Sequence, residues 1–491
     1  MNFGYAAKRY GETKFTENGA MAYSTTENDL LDLFSQIGSL RNRSESEIET
    51  KFAKAFKENS LLATKMMFYC GNVHGGLGER RTFRICLKWL AQNYPSIVID
   101  NIDLVPLFNR YDSLFVLIGT RCEKAMWDFI INTMTQDMKN FKMKKPYSLL
   151  AKWMPSENTS SQKTRILAKK ARMALGLSSK EYRKVLTALR KGLNIVESKI
   201  SANEWNKVIY STVPSYAMLR YRNAFKMHDY ERFQKYLDNV KTGKVKINSS
   251  TLYPYDLVHK YSVSGYIPQE DSVIEEQWKA LPNYIEGENN ILIMADVSSS
   301  MYGRPIETSI GLATYFAQRN NGAYSGLYMT FTNKPHFISI GKNDSLRDSV
   351  VKVQHTDIGY STNLEAAFRY ILNFAISNRV APHEMPSALV VISDMEIDRY
   401  LSTHNFDFLQ MMEKMFNSYG YNLPKIILWN VEARNDTFLS QDDKVIFVSG
   451  QSPSVFERLC GALEGKTAAD FMWETLNDSM YDSLYFDEHL L

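Results

Sequence analysis

Apolar side chains recur at two different periods along this chain, and the change falls near Leu281-Pro282. Upstream, from about Asn28 to Lys246, the period is that of a helix. Ile48, Phe52 and Phe56 stand at i, i+4 and i+8 in a polar background, so they share one stripe. Leu61 to Tyr69 and Phe83 to Leu90 read as further amphipathic helices. Tyr182, Val185, Leu186 and Leu189 share one face of a segment running to Val196. Short breakers separate these stretches: Gly71 to Gly78, Tyr94-Pro95, Lys145-Pro146, Pro155 to Ser161 and Val213-Pro214. Helices with short connections and no two-residue alternation predict an all-α module, a solenoid or an irregular bundle. The absence of a strict repeat argues against a TPR or ankyrin array.

Downstream, short apolar runs alternate with helical stretches. Strands are expected at Asn290–Ala295, Leu327–Phe331, Phe337–Ile340, Ala388–Ser393, Lys425–Val431 and Val445–Ser449. Helices are expected at Pro305–Gln318, Leu364–Ser377, Phe406–Phe416 and Val455–Leu463. The second and third strands face each other across Asn333-Lys334-Pro335, the place for a hairpin. Strand–helix alternation specifies a largely parallel, Rossmann-like sheet covered on both faces. The fold class is therefore multidomain, α followed by α/β, with modules at 1–285 and 286–491.

Composition narrows the class. Of 491 residues, 44% are hydrophobic and 23% charged, which excludes disorder and collagen-like repeats. Cys70, Cys86, Cys122 and Cys460 are scattered without C-x-x-C spacing, so a zinc ribbon or disulfide scaffold is not expected. Met1 to Tyr10 lacks the apolar core of a signal peptide, and no apolar run has the length of a membrane span. A reducing, cytoplasmic setting without a membrane is the expectation.

Charge is unevenly placed. Residues 286–491 carry a net −11 and residues 1–285 a net +15, while 139–246 alone carry +18. Such asymmetry points to a nucleic-acid-binding part joined to something else, and to salt-sensitive attraction between the two modules.

The strand ends carry candidate metal chemistry. Ile291 to Ala295 runs straight into Asp296-Val297-Ser298-Ser299-Ser300, a D-x-S-x-S pattern that can present a carboxylate and two hydroxyls on one side of a loop. Thr362 follows in a G-x-S-T segment before a helix, and Asp394 ends a buried strand. Asp296, Ser298, Ser300, Thr362 and Asp394 form a hard-oxygen set suited to Mg²⁺ or Mn²⁺. Glu396 and Asp398, just beyond, are expected to be solvated loop charges.

With these motifs in this order, residues 287–465 resemble the von Willebrand factor A domain and its metal-ion-dependent adhesion site (MIDAS). The resemblance implies that the five residues hold Mg²⁺ directly or through water and that a protein partner's carboxylate completes the coordination. Asn363 departs from some relatives, which have Asp there. A helical module followed by such a domain resembles the Ro ribonucleoprotein autoantigen, whose helical repeats form the TROVE module, a HEAT-like ring. A family of the same layout found in phages, plants and fungi is closer still. The segments carrying that likeness include Gly75 to Arg80, Asn109 to Asp112, Leu150 to Ser156, Val213 to Ala217, Asp229 to Leu237 and Lys246 to Asn248. The resemblance implies binding of structured or single-stranded RNA, and it is compatible with a phage-encoded protein.

The basic stretch supports RNA independently. Lys142, Lys144, Lys145, Lys163, Arg165, Lys169, Lys170, Arg172, Arg183, Lys184 and Arg190 fall within one helical region, as phosphate contacts require. Tyr147, Trp153, Tyr182, Trp205, Tyr216 and Tyr221 are interleaved, most of them as core and the rest as stacking surfaces.

Other motifs are weaker. Gly71 to Arg80 lacks the G-K-[ST] ending of a P-loop and follows a helix, so a tight turn with Glu79 paired to Arg80 is expected. The eight histidines form no hydrolytic pattern, and G-x-S-x-G is absent. A metal-dependent nuclease is disfavoured, since these mostly neutral ligands lack a paired-metal carboxylate cluster. The expected function is a non-enzymatic, RNA-binding ribonucleoprotein scaffold whose A-type domain binds Mg²⁺ and an acidic partner. The alternative is a protein–protein adaptor acting through the metal site without nucleic acid.

Overall fold

The structure is a computed structural model that describes residues 13–262, 268–332, 334–355, 359, 361–398, 408–440, 442, 444–460 and 465–487. It is mixed α/β, with a helical N-terminal region and a six-stranded, mostly parallel sheet in the C-terminal part.

In the helical region the expected stripes are buried. Helix Glu45–Glu58 buries Ile48, Phe52, Ala55 and Phe56, and it begins with a reciprocal cap between Ser44 and Glu47. Helix Ser179–Gly192 opens the same way with Ser178 and Glu181 and buries Tyr182, Leu186 and Leu189. The glycine segment after helix Ser60–Gly71 is a turn tied by backbone hydrogen bonds from Leu77 to Tyr69, Gly78 to Asn72 and Glu79 to Cys70. One detail corrects the expectation: Glu79 pairs with Arg41 at 2.6 Å and not with Arg80.

Strands β1 (Thr13–Phe15) and β2 (Met21–Tyr23) form an N-terminal hairpin that the apolar pattern did not announce. The sheet comprises β3 (Ile291–Asp296), β4 (Leu327–Phe331), β5 (His336–Ser339), β6 (Ala388–Ser393), β7 (Lys425–Asn430) and β8 (Ile446–Ser449). Its order is β5-β4-β3-β6-β7-β8, with only β4–β5 antiparallel, as the Asn333 to Pro335 turn foretold. The expected helices at 305–318 and 364–377 are found as Arg304–Arg319 and Leu364–Ser377, and that at 406–416 as Phe408–Ser418. Phe406 and part of the expected helix Val455–Leu463 lie outside the described residues.

The two faces of β3 separate two cores. Leu292 and Met294 pack with helices Leu364–Ser377 and Phe408–Ser418. Ile291, Ile293 and Ala295 pack with helix Arg304–Arg319, in a cluster that continues without a break to Leu33, Phe52, Phe83 and Leu186 of the helical region. The two regions therefore meet through shared apolar packing. Ion pairs cross the junction as well: Asp436 meets Lys51 at 2.8 Å and Arg43 at 3.2 Å. At the junction Gly38 approaches Gly450 so closely that a Cβ on Gly38 would stand 2.8 Å from the Gly450 backbone. The Gly38 N–H donates to Ser449 Oγ at 3.0 Å, and the Ala433 N–H to Ser39 O at 3.1 Å. All four cysteines are free, and three are buried. Among the described residues no helix is long and apolar enough to cross a membrane.

Candidate metal centre

The sheet order reverses at β3. The chain passes from β3 to β4 on one side, then returns to lay β6 against the other side, in register from Ile291↔Ala388 to Ala295↔Ile392. The crevice beyond the carboxyl ends of such strands is where open α/β sheets place ligands. Asp296 ends β3 and Asp394 follows β6, so topology alone sets two carboxylates side by side there.

The loops complete the set. After Asp296 the chain makes a short 3₁₀ turn, Ser299–Met301, and enters helix Arg304–Arg319 through Gly303 at φ 86°. The Ser298 N–H donates to Asp296 Oδ1 at 2.9 Å, which folds the loop back on the strand end. Ser298 Oγ and Ser300 Oγ are 3.0 Å apart, and Thr362 Oγ1 donates to Ser298 Oγ at 3.0 Å. The Ser299 N–H donates to Gly359 O at 3.1 Å, linking the first loop to the second. Gly359 can approach this closely only as glycine, because a Cβ would lie 2.8 Å from that of Thr332. The Ser300 hydroxyl reaches the Asp394 carboxyl and helps to hold its pKa down. All five residues singled out from the sequence are thus gathered, four of them fully buried.

The donor chemistry fits a hard divalent cation. Two carboxylates and three hydroxyls converge, and Asp394 Oδ2 is buried without a hydrogen-bond partner among the described residues. No three His, Cys, Asp or Glu side chains gather as a metal cluster among those residues, since three of the five oxygens here are hydroxyls. Burial and the neighbouring Asp394 push the Asp296 carboxyl up, opposed by hydrogen bonds from Ser393 and Ser298. Burial likewise pushes Asp394 up, opposed by the Glu396 N–H and the Arg434 guanidinium. Two buried carboxylates held this way gain when a cation neutralises them.

Sequence reasoning missed several neighbours. Ser393 donates to Asp296 Oδ2 at 2.6 Å. Met301 Sδ accepts the Asp394 N–H at 3.2 Å. Arg434, on the loop after β7, places Nη2 3.4 Å from Asp394 Oδ2 and donates to the Ser300 carbonyl. Glu17, on the N-terminal hairpin, stands 3.5 Å from Arg434. Glu396 corrects an expectation: it is 1% exposed, not solvated. Its carboxylate accepts the Glu17 N–H at 2.5 Å and Asn435 Nδ2 at 3.1 Å, and burial pushes its pKa up. Asp398 is also engaged, accepting the Ser361 hydroxyl and donating its N–H to Thr362 O at 3.0 Å. Asn363, the departure from the Asp of some relatives, caps helix Leu364–Ser377 by accepting the Ala366 N–H at 2.8 Å. An amide oxygen serves that purpose as a carboxylate would.

The basic residues divide. Lys142, Lys144, Lys145, Lys163, Arg165, Lys169, Lys170, Arg183 and Lys184 are exposed on or beside helices Glu123–Lys142, Gln162–Ala174 and Ser179–Gly192, and the latter two each pack against the first. Arg190 is committed elsewhere: it donates to Ala151 O at 2.8 Å, Met154 O at 2.6 Å and Ser156 Oγ at 2.8 Å. Arg172 pairs with Glu157 at 3.0 Å and donates to Leu177 O at 3.0 Å. Both side chains are engaged in holding the fold. Of the interleaved aromatics, Tyr216 is exposed and Tyr182 is buried.

A helical region joined to a doubly wound sheet with an oxygen-lined crevice defines a two-part α, α/β protein. The chain belongs to the family described as Domain of unknown function (DUF2828), whose model matches residues 16–112 and 125–290. A second model, Domain of unknown function (DUF7788), matches residues 290–474. The chain is also similar to "Uncharacterized protein L728" of Acanthamoeba polyphaga mimivirus, at 27% identity over 496 residues, covering 92% of this chain and 85% of the relative.

Proposed function

We propose that this chain is a binding scaffold and not a catalyst. In this reading the C-terminal part is a von Willebrand factor A-like domain, and Asp296, Ser298, Ser300, Thr362 and Asp394 hold Mg²⁺ or Mn²⁺. The helical region is TROVE-like, of the HEAT-like kind, and carries RNA on its exposed lysines. The bound ion would supply a positive centre for the carboxylate of an acidic protein partner. The residues do the rest: the hydroxyls orient one another in a chain, and burial keeps competing water from the two carboxylates.

The observation that carries the reading is the Asp394 carboxylate, buried at the switch point with one oxygen that accepts no hydrogen bond and three hydroxyls converging beside it. Titration of the full chain with Mn²⁺ by calorimetry tests it. One saturable site that disappears in Asp394→Ala is expected; heat of binding unchanged in that variant overturns it.

One finding favours the second reading, an adaptor without nucleic acid. Two of the basic residues expected to face RNA, Arg172 and Arg190, are engaged inside the fold. Filter binding with structured RNA across a salt series separates the two. The scaffold reading expects retention that falls steeply with salt and is weakened by charge reversal at Lys163, Lys169 and Lys170. No retention at low salt leaves the adaptor.

A further inference from the structure

Arg434 is the one cation placed against the oxygen set among the described residues, and its surroundings are unusual for a surface arginine. Its Nη2 is 3.4 Å from Asp394 Oδ2, the buried oxygen that accepts no hydrogen bond. The same nitrogen donates to the carbonyl of Ser300, itself a member of the set. The other arm, Nη1, stands 3.5 Å from Glu17 Oε2. Glu17 is held over the site by its hairpin: its N–H donates to Glu396, Asn18 Nδ2 donates to Glu396 O at 2.7 Å, and Thr16 Oγ1 donates to Ile397 O at 2.5 Å. Asn435 Nδ2 also donates to Glu17 Oε1 at 3.2 Å. Arg434 therefore spans two carboxylates, one buried in the oxygen set and one half-exposed at its rim.

We propose that Arg434 is a tethered cation that competes with the divalent ion for Asp394 and is received by Glu17 when the ion binds. This rests on the metal-centre reading above. The argument is electrostatic. A guanidinium cannot lose its charge at working pH. It neutralises Asp394 in the ion-free protein, where an unpaired buried carboxylate would be costly. A divalent ion drawing on Asp394 and Ser300 brings two further positive charges beside the guanidinium, and like charges at that range repel strongly. Arg434 must therefore yield Asp394, and Glu17, already beside Nη1, is the anion that can accept it without a large movement. The hairpin near the start of the chain thereby becomes part of the affinity of a site on the α/β sheet.

The arrangement predicts opposite signs for two substitutions. Mn²⁺ binding to the full chain is measured by calorimetry and by the loss of the free-ion electron paramagnetic resonance signal. Arg434→Gln, which removes the competitor, is expected to tighten Mn²⁺ binding by about tenfold or more. Glu17→Gln, which removes the receiver, is expected to weaken it by about threefold or more, at the scale of a partly exposed ion pair. The double variant is expected to bind nearly like Arg434→Gln alone, because Glu17 acts mainly through the arginine and only weakly as a direct charge. Binding by Arg434→Gln no tighter than wild type overturns the proposal, as does a Glu17→Gln effect that persists at full size in the double variant. Binding that is lost in Asp394→Ala yet unaltered in Arg434→Gln overturns this inference and leaves the metal centre standing. Absence of Mn²⁺ binding in every form overturns both.

Discussion

Ser393 donates its hydroxyl to Asp296 Oδ2 at 2.6 Å, while the Ser298 N–H holds the other oxygen. These two bonds keep a fully buried carboxylate oriented, but they do not overcome its burial beside Asp394, and its pKa stays raised. The folded protein thus retains a proton that the unfolded chain releases. Stability of the ion-free protein is expected to fall as pH rises from the ordinary carboxylate range toward neutrality, by about 1.4 kcal/mol per unit of displacement. Asp296→Asn removes that titration. Melting midpoints measured across this range should decline less in the variant than in the wild type; equal slopes contradict the assignment.

A divalent ion reverses that slope, because it binds the deprotonated pair. Mg²⁺ is expected to raise the melting midpoint more at pH 8 than at pH 5.5. Thr362→Val keeps the side-chain shape and deletes one oxygen of the set, and it should weaken Mn²⁺ binding about tenfold. A midpoint shift independent of pH, or Mn²⁺ affinity unaffected by Thr362→Val, counts against the five-residue set.

Charge in the helical region separates by task. Arg190→Ala removes three donors to Ala151, Met154 and Ser156. The expected cost is about 2–3 kcal/mol, read as a lower denaturant midpoint. Reversal of exposed Lys163, Lys169 and Lys170 should leave that midpoint nearly unmoved and act on RNA retention alone. The opposite pattern would mean that the surface and structural roles are exchanged.

Gly38→Ala places a Cβ 2.8 Å from the Gly450 backbone at the junction of the two regions. With backbone on both sides there is little room to yield, so a loss of about 2 kcal/mol is expected. Because one core serves both regions, the loss should lower a single unfolding transition followed by far-ultraviolet circular dichroism. Two separate transitions would contradict the continuity of that core.

Much of this architecture was legible in local pattern. The bounds expected for Leu327–Phe331, Ala388–Ser393 and Leu364–Ser377 match the structure because apolar run length and flanking turns agree. Asp296, Ser298, Ser300, Thr362 and Asp394 could be singled out because strand ends concentrate ligand chemistry. The remainder depends on contacts between segments far apart in the chain. Glu396 looks like a solvated charge until Glu17 and Asn435 are brought against it. Nothing local in the sequence announces the carbonyl and carboxylate partners that engage Arg190 and Arg172. Arg434 lies in a loop without periodicity, and β1 and β2 are too short to carry a period of their own.

The Gly38–Gly450 crossing also bears on descent. A lineage that exchanged one half of this chain for a cousin's would meet a side chain where bare backbone is needed, so inheritance of the two halves is coupled. Substitutions along that seam should arise in compensating pairs.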